Sequence, residues 1–218
     1  SVPPSAARPA QARSWLAFLR SPAGHAALLG ACGAAFMTFG SFGAGSVRRI
    51  DPLLEDIYLS WLRFGHGQLL SRIILWVGVL LMIGAWVRLG RATLNGQVTV
   101  RDLWTVLPAW TAPLLVATPM FSRDAYSYLA QGALLRDGFD PYEVGPVVNP
   151  GVLLDNVSNV WTTTTTPYGP VHLLLGAGIT SLTDDNVVTG TWLWRLMMLP
   201  GLVLMAWAVP KLARRMGG

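Results

Sequence analysis

Long apolar runs separated by short polar stretches dominate the pattern along the chain. A helix of about 20 apolar residues crosses a bilayer core of about 30 Å. Four segments come near that length, namely 25–46, 68–89, 103–120 and 187–209. A fifth apolar run, 171–182, is too short to cross. The pattern therefore predicts an all-α polytopic membrane protein with four transmembrane helices.

The segment that follows the third predicted span, 121–186, has a different pattern. From Asp124 to Arg136 the apolar positions follow the i, i+3, i+4 spacing of a helical stripe, and Ser122 and Gly138 suit its two ends. The opposite face carries polar side chains, namely Asp124, Ser127, Tyr128 and Gln131. We expect a short amphipathic helix that lies flat on the membrane, with its polar face toward an aqueous pocket.

Composition and charge narrow the class of protein. Hydrophobic residues make up 52% of the 218 residues and charged residues 12%, with a mean hydropathy of +0.45, which is outside the range of soluble domains. The net charge of +5 does not indicate nucleic acid, because Lys and Arg cluster beside the apolar spans. Basic residues before the first span and after the last favour a multi-pass protein of the plasma membrane with both ends cytoplasmic. Segment 121–186, with seven acids against two arginines, then lies on the outer face.

This topology divides the chain into three parts. Residues 1–23 are rich in Pro, Ala and Arg and predict a mobile cytoplasmic tail without a signal peptide. Residues 24–102 contain two transmembrane helices, and residues 103–218 contain a transmembrane helix over 103–120, the outer loop 121–186 and a transmembrane helix over 187–209. Because the chain begins with Ser1, we expect it to be one piece of a longer protein.

Several residues of the outer loop have both a structural and a chemical interpretation. Asp124 in a first helical turn either complements the helix dipole, worth about 0.3 to 1 kcal/mol, or serves as a catalytic acid or base. Tyr142 and Tyr168 stand in proline-rich turns that could form the walls of one site, although tyrosines are also common at membrane interfaces. His172 is either an interfacial histidine or a base. No His and carboxylate pair has metal-ligand spacing here, so we expect neither a metal nor a cofactor.

Arg195 is the most unusual charge in the sequence. It lies nine residues into the last span, about 13 Å deep at about 1.5 Å per residue. An arginine at the centre of a span costs about 2.5 to 3.5 kcal/mol on insertion scales, so it needs a partner. The partner is either a carboxylate or a backbone carbonyl of a neighbouring helix, or an anionic ligand such as a lipid phosphate.

Four stretches in this order resemble a known family: "RDAYSYLAQGALLRDGFDPYEVGP", "TPYGPVHLLL", "NVVTGTWLWRL" and "KLARR". They are similar to the polyprenol-phosphomannose-dependent α-1,6-mannopyranosyltransferases of actinobacteria, the MptA/MptB type, over about residues 103–215. More broadly, they resemble the C-fold membrane glycosyltransferases. The resemblance implies a C-fold glycosyltransferase-like transmembrane bundle whose outer loop carries short interfacial helices. Members of the family continue through further spans, so the chain resembles their N-terminal part.

The resemblance also implies an activity. Asp124 would act as general base while a mannose passes, with inversion, from a polyprenyl-phosphate donor to a mannan or lipoglycan acceptor of the lipomannan type. Arg195 is the first candidate for the donor phosphate and Arg123 the second. The expected substrate-binding residues are Arg123, Tyr128, Gln131, Asp140, Tyr142, Tyr168, His172 and Arg195. A non-catalytic membrane subunit and a transporter remain the alternatives.

Overall fold

The computed structural model describes residues 15–46, 48 and 51–217, and within these residues every regular element is helical. The described part contains nine α-helices, and four short 3₁₀ turns stand between or beside them. The α-helices are α1 (Trp15–Leu19), α2 (Pro22–Ala44), α3 (Pro52–Asp56), α4 (Gly65–Leu94), α5 (Val100–Thr111), α6 (Asp124–Arg136), α7 (Val152–Asn156), α8 (Pro170–Thr183) and α9 (Val187–Arg215). The predicted all-α class is confirmed.

Three of these helices, α2, α4 and α9, are long and apolar enough to cross a membrane. They contain the predicted spans 25–46, 68–89 and 187–209, apart from the last two residues of the first. The mobile tail predicted over 1–23 falls partly outside the described residues, since 1–14 are not described. Residues 15–23 are mostly helical, since they include α1 and the start of α2. The Ser21 hydroxyl caps α2 by accepting the Gly24 amide hydrogen at 3.1 Å.

The predicted span 103–120 needs correction, because it is not one helix. Helix α5 begins earlier, at a capping box formed by Thr99 and Asp102, and ends at Thr111 after 12 residues. A 3₁₀ turn, Pro113–Val116, follows it. Proline has no amide hydrogen to continue the helical ladder, so Pro113 favours a break at this point. Twelve helical residues reach about 18 Å, which is less than the hydrocarbon core, and the crossing of this segment stays a prediction.

Helices α2 and α4 pack at very short range through glycines. A Cβ atom added to Gly33 would lie 2.9 Å from the carbonyl oxygen of Gly78, and one added to Gly40 would lie 2.6 Å from the amide nitrogen of Leu75. Small residues let two backbones touch, and such contact is a main source of helix association where no water is present to be expelled. The two helices therefore form one rigid pair.

Helices α6 and α8 make an even closer contact. A Cβ atom on Gly132 would lie 2.3 Å from the carbonyl carbon of Gly176. The apolar stripe of α6 is 0 to 4% exposed, and four of its residues belong to a core with side chains of α7, α8 and α9. Those stripe residues are Tyr126, Leu129, Ala130 and Ala133. The stripe thus faces protein, which corrects the expectation of a helix lying flat on the membrane.

One end of the molecule gathers the end of α2, the start of α6 and the start of α9. The Ser46 amide donates to the Pro119 carbonyl at 2.6 Å, and the Tyr126 hydroxyl donates to the Ser46 carbonyl at 2.6 Å. Arg48 is 3% exposed, pairs with Asp51 at 2.6 Å and donates to the Thr191 hydroxyl at 3.2 Å. These contacts are compatible with the predicted topology, which places all three segments on the outer side.

We expect Gly132→Ala to destabilise the protein by about 1 to 3 kcal/mol, because the added methyl group overlaps the backbone of α8. The matched control is Gly178→Ala on α8, where a Cβ would meet nothing within 4 Å. There the helical preference for alanine should leave stability unchanged or raise it by about 0.5 to 1 kcal/mol. Thermal unfolding of both variants measures the difference, and equal melting temperatures would contradict the role of this contact.

Candidate active site

Asp124 begins helix α6, and its carboxylate is left available. The Ser122 hydroxyl accepts the Asp124 amide hydrogen at 3.0 Å, which satisfies one of the free donors at the helix start. The helix covers Asp124–Arg136 and is followed by Gly138 at φ +87°, as the sequence predicts. The half-buried Asp124 carboxylate makes no hydrogen bond or ion pair with any other residue that the structure describes. It is therefore free to contact a ligand.

Asp124 lines a cavity of about 220 Å³, which we call the polar cavity. Its other lining residues come from the polar face of α6 and from the loop before α8; they are Ser127, Tyr128, Gln131, Trp161, Thr164, Thr165, Pro167 and Tyr168. The Ser127 hydroxyl is buried and has no hydrogen-bond partner among the described residues. Gln131 Oε1 accepts a hydrogen bond from the Thr166 hydroxyl at 3.0 Å, which ties the loop to α6.

A second cavity of about 340 Å³ lies next to it, and we call it the arginine cavity. Its lining residues are Ala125, Tyr128, Tyr168, His172, Thr191, Trp194, Arg195 and Met198. Tyr128 and Tyr168 line both cavities. The two cavities therefore share a wall, with a carboxylate in one and a guanidinium in the other.

The shared wall belongs to a cluster of four rings. His172 stacks on Tyr168 at 4.5 Å between centroids and on Trp194 at 4.7 Å. Tyr128 stands edge-on to these three rings at 5.0 to 6.0 Å. Burial, together with a hydrogen bond to Tyr168, raises the pKa of Tyr128 to about 12, and burial lowers the pKa of His172 below 6.5. Tyr128 and His172 are therefore uncharged at neutral pH.

Arg195 has a backbone partner. Its Nη1 donates to the Leu115 carbonyl at 2.9 Å, in the 3₁₀ turn that follows α5. No carboxylate pairs with it within the described part of the chain. Of the two structural partners considered above, the backbone carbonyl is the one found. A single hydrogen bond leaves most of the five guanidinium donors unused, and the side chain lines the cavity.

Three of the expected binding residues are not among those that line the two cavities. Arg123 Nε donates to the Asn156 carbonyl at 2.9 Å, and its guanidinium lies 5.5 Å from the Tyr126 ring centroid. Asp140 Oδ1 accepts the Tyr142 amide hydrogen at 2.8 Å, and the Tyr142 hydroxyl donates to the Tyr168 carbonyl at 2.9 Å. Asp140 and Tyr142 thus support the turn that carries Tyr168.

Some lining residues were not predicted to bind substrate. Thr191 lies four residues before Arg195, so helical spacing could have placed both side chains on one face of α9. Trp161, Thr164 and Thr165 belong to an irregular loop, where no periodic pattern marks a lining position. Among the described residues no group of three His, Cys, Asp or Glu side chains could hold a metal ion.

Comparisons with known proteins agree on one family. Residues 27–218 match the family model described as alpha-(1->6)-mannopyranosyltransferase, N-terminal domain. The chain is 56% identical over 200 residues to alpha-(1->6)-mannopyranosyltransferase A of Mycobacterium tuberculosis, which covers 92% of this chain and 39% of that protein. It is 46% identical over 189 residues to alpha-(1->6)-mannopyranosyltransferase A of Corynebacterium glutamicum, which covers 83% of this chain and 39% of that protein.

A third relative is alpha-(1->6)-mannopyranosyltransferase B of Corynebacterium glutamicum, which is 34% identical over 206 residues, or 86% of this chain and 33% of that protein. The chain thus spans between one third and two fifths of the length of these relatives. No solved structure matches it.

The lowered pKa of His172 predicts a pH dependence of stability. The unfolded chain binds a proton at this residue as the pH falls through about 6.5, whereas the folded protein binds it only at lower pH. Stability is therefore lost as the pH drops from about 6.5 toward the folded pKa. His172→Phe keeps the ring stack and removes the titration, so its melting temperature should fall less between pH 7.5 and pH 5. Equal pH profiles of the two proteins would disprove the buried neutral imidazole.

Proposed function

The chain belongs to the MptA/MptB-type family of alpha-(1->6)-mannopyranosyltransferases, as their N-terminal domain, and from this membership we propose the reaction of the whole protein. The protein transfers mannose from a polyprenyl-phosphate donor to a growing α-1,6-mannan of the lipomannan type. The observation that supports this most directly is the pair of adjoining cavities, one with the Asp124 carboxylate and one with Arg195. A transfer between a sugar hydroxyl and a sugar phosphate needs both groups close together.

Asp124 is the general base in this proposal. An acceptor hydroxyl in the polar cavity gives its proton to the Asp124 carboxylate while its oxygen attacks the anomeric carbon of the donor mannose. The bond between that carbon and the phosphate oxygen breaks, and the configuration inverts. Ser127, Gln131 and Thr164 provide hydroxyl and amide groups on the same cavity, which suit the many hydroxyl groups of a sugar acceptor.

Arg195 holds the leaving phosphate in this proposal. A polyprenyl phosphate leaves without needing a proton, but its charge needs cationic or hydrogen-bonding groups around it. A guanidinium binds two phosphate oxygens at once through parallel hydrogen bonds. Arg48, which is paired with Asp51, donates to the Thr191 hydroxyl and so fixes a residue that lines the same cavity. Trp194 and Met198 give the cavity an apolar side that suits the first prenyl units.

We place both cavities on the outer face of the plasma membrane. The cavities lie at the end of the molecule where α9 begins, and the charge pattern puts the opposite end in the cytoplasm. A donor embedded in the membrane can then reach Arg195 from the outer leaflet. The acceptor glycan, which is soluble at its growing end, reaches Asp124 from the aqueous side.

In the full-length protein we expect Asp124→Asn to lower the rate of mannosyl transfer by about 10² to 10⁴, the usual contribution of a general base. Binding of polyprenyl phosphate should stay as it is, because the amide keeps the shape of the side chain. Glu143→Gln is the matched control, since Glu143 is exposed in the same outer segment and lines neither cavity. Transfer by the Asp124→Asn protein at more than a few per cent of the wild-type rate would rule out the general-base role.

Arg195→Ala should weaken the binding of polyprenyl phosphate by about 1.5 to 3 kcal/mol, which is roughly 10- to 150-fold, while Arg195→Lys should weaken it less. Stability should fall by only about 1 kcal/mol, since the partner lost is a carbonyl. Thermal unfolding and phosphate binding are measured on the same protein. Arg123→Ala serves for comparison and should change binding less. A destabilised Arg195→Ala protein whose folded fraction binds polyprenyl phosphate normally contradicts the phosphate role.

A further inference from the structure

A third cavity, of about 340 Å³, opens at the other end of the molecule, between the start of α2 and the end of α4. Its lining residues are Pro22, His25, Ala26, Arg88, Arg91, Ala92, Asn95 and Gln97. We call it the Arg88 cavity. It combines two guanidinium groups, an imidazole and two side-chain amides with the exposed ring of Pro22; Ala26 and Ala92 are buried beneath them.

The two guanidinium groups of this cavity share one helix face and are not neutralised. Arg88 and Arg91 are three residues apart, so they lie on one face of α4. The glycine contacts that join α2 to α4 fix this face against the start of α2. Neither guanidinium group makes a hydrogen bond or ion pair with another residue that the structure describes. The N-terminus of α2, begun at Ser21, adds a partial positive charge on the opposite wall.

The surroundings of the cavity strengthen its positive potential. The basic residues described at this end of the molecule are Arg20, Arg88, Arg91, Arg101, Lys211, Arg214 and Arg215. The acid described at this end is Asp102, whose carboxylate accepts hydrogen bonds from the Thr99 amide and hydroxyl at 2.9 and 2.8 Å. An anion in the cavity therefore meets a large excess of positive charge.

Orientation of the helices in the membrane accounts for a basic end, but it does not account for the cavity. Arg101 satisfies the charge pattern equally well and lines none of the cavities described above. Arg88 and Arg91 instead line one open cavity together with His25. This arrangement is typical of a site that binds an oxyanion with two or more oxygens.

The depth of the two arginines indicates which oxyanion. Along α4 they stand about 35 to 39 Å from the helix start at about 1.5 Å per residue, beyond a hydrocarbon core of about 30 Å. They therefore lie at the level of lipid headgroups. We propose that the Arg88 cavity binds the phosphate of an anionic phospholipid, in the leaflet opposite to the one that serves the two active-site cavities. This site does not depend on the proposed transferase reaction.

The shared chemistry of a phosphate could come from a lipid or from free phosphate, and the apolar wall favours the lipid. The exposed ring of Pro22 offers carbon surface beside the arginines, which suits the glycerol backbone of a phospholipid. Free phosphate would leave that surface in contact with water. We therefore expect phosphatidylglycerol to bind and inorganic phosphate not to displace it at millimolar concentration.

The test measures phosphatidylglycerol bound to the full-length protein in detergent by native mass spectrometry, with phosphatidylcholine as the zwitterionic comparison. We expect the double variant Arg88→Gln and Arg91→Gln to bind phosphatidylglycerol at least about tenfold more weakly than wild type. A second double variant, Arg88→Lys and Arg91→Lys, keeps the charge without the planar fork and should lie in between. The control double variant, Arg101→Gln and Arg214→Gln, removes the same two charges from the same end but outside the cavity, and it should bind like wild type.

Each arm can overturn the proposal. Unchanged phosphatidylglycerol binding in the Gln double variant rejects the site. An equal loss in the control double variant, Arg101→Gln and Arg214→Gln, shows that the basic end attracts anionic lipid without a defined cavity. Equal binding of phosphatidylcholine shows that the lipid charge does not determine binding. Displacement of phosphatidylglycerol by millimolar inorganic phosphate shows that the cavity binds a free anion instead. Circular dichroism melting of the same variants confirms that they are folded, as expected for exposed side chains.

Discussion

The contact between Gly132 and Gly176 is the constraint on which the candidate active site depends. With no side chain on either residue, the backbones of α6 and α8 touch, and a Cβ on Gly176 would lie 3.1 Å from the Tyr128 carbonyl oxygen. One helical turn before each glycine stand Tyr128 and His172, whose rings meet at 5.0 Å. Asp124 stands one helical turn before Tyr128 in α6. The wall between the two cavities exists because two helices approach closely enough to stack side chains across their crossing.

Polar contacts hold the segment between α6 and α8 near both of its ends. Arg136, in the last turn of α6, binds Asp137 at 2.7 Å and Asp185 at 2.6 Å, which ties that end to the turn before α9. At the other end, the Tyr142 hydroxyl and the Gln131 amide hold the residues around Tyr168. A loop anchored in this way places a side chain almost as reproducibly as a helix does. The cavity walls are thus stabilised by residues that do not line them, namely Arg136, Asp140 and Tyr142.

The helical spacing of apolar residues predicted both ends of α6, and Ser122 before the helix and Gly138 after it agree with those ends. The family resemblance is confirmed as well. Two expectations about location were wrong, since hydropathy does not distinguish an apolar surface that meets lipid from one that meets protein. Hydropathy assigned the stripe of α6 to the membrane and predicted one helix over 103–120, across Pro113. Trp161 and Thr164 could not be foreseen, because their places are set by loop packing.

The wall shared by the two cavities has a role in the proposed reaction, because it keeps the Asp124 carboxylate apart from the Arg195 guanidinium. A free carboxylate and a free guanidinium in one cavity would form an ion pair, and the carboxylate would then be a weaker base and the arginine less available to phosphate. Tyr128 and Tyr168 stand between the two cavities, and Tyr128 stays protonated with a pKa of about 12. In the proposed reaction this separation leaves Asp124 available to the incoming hydroxyl and Arg195 available to the departing phosphate.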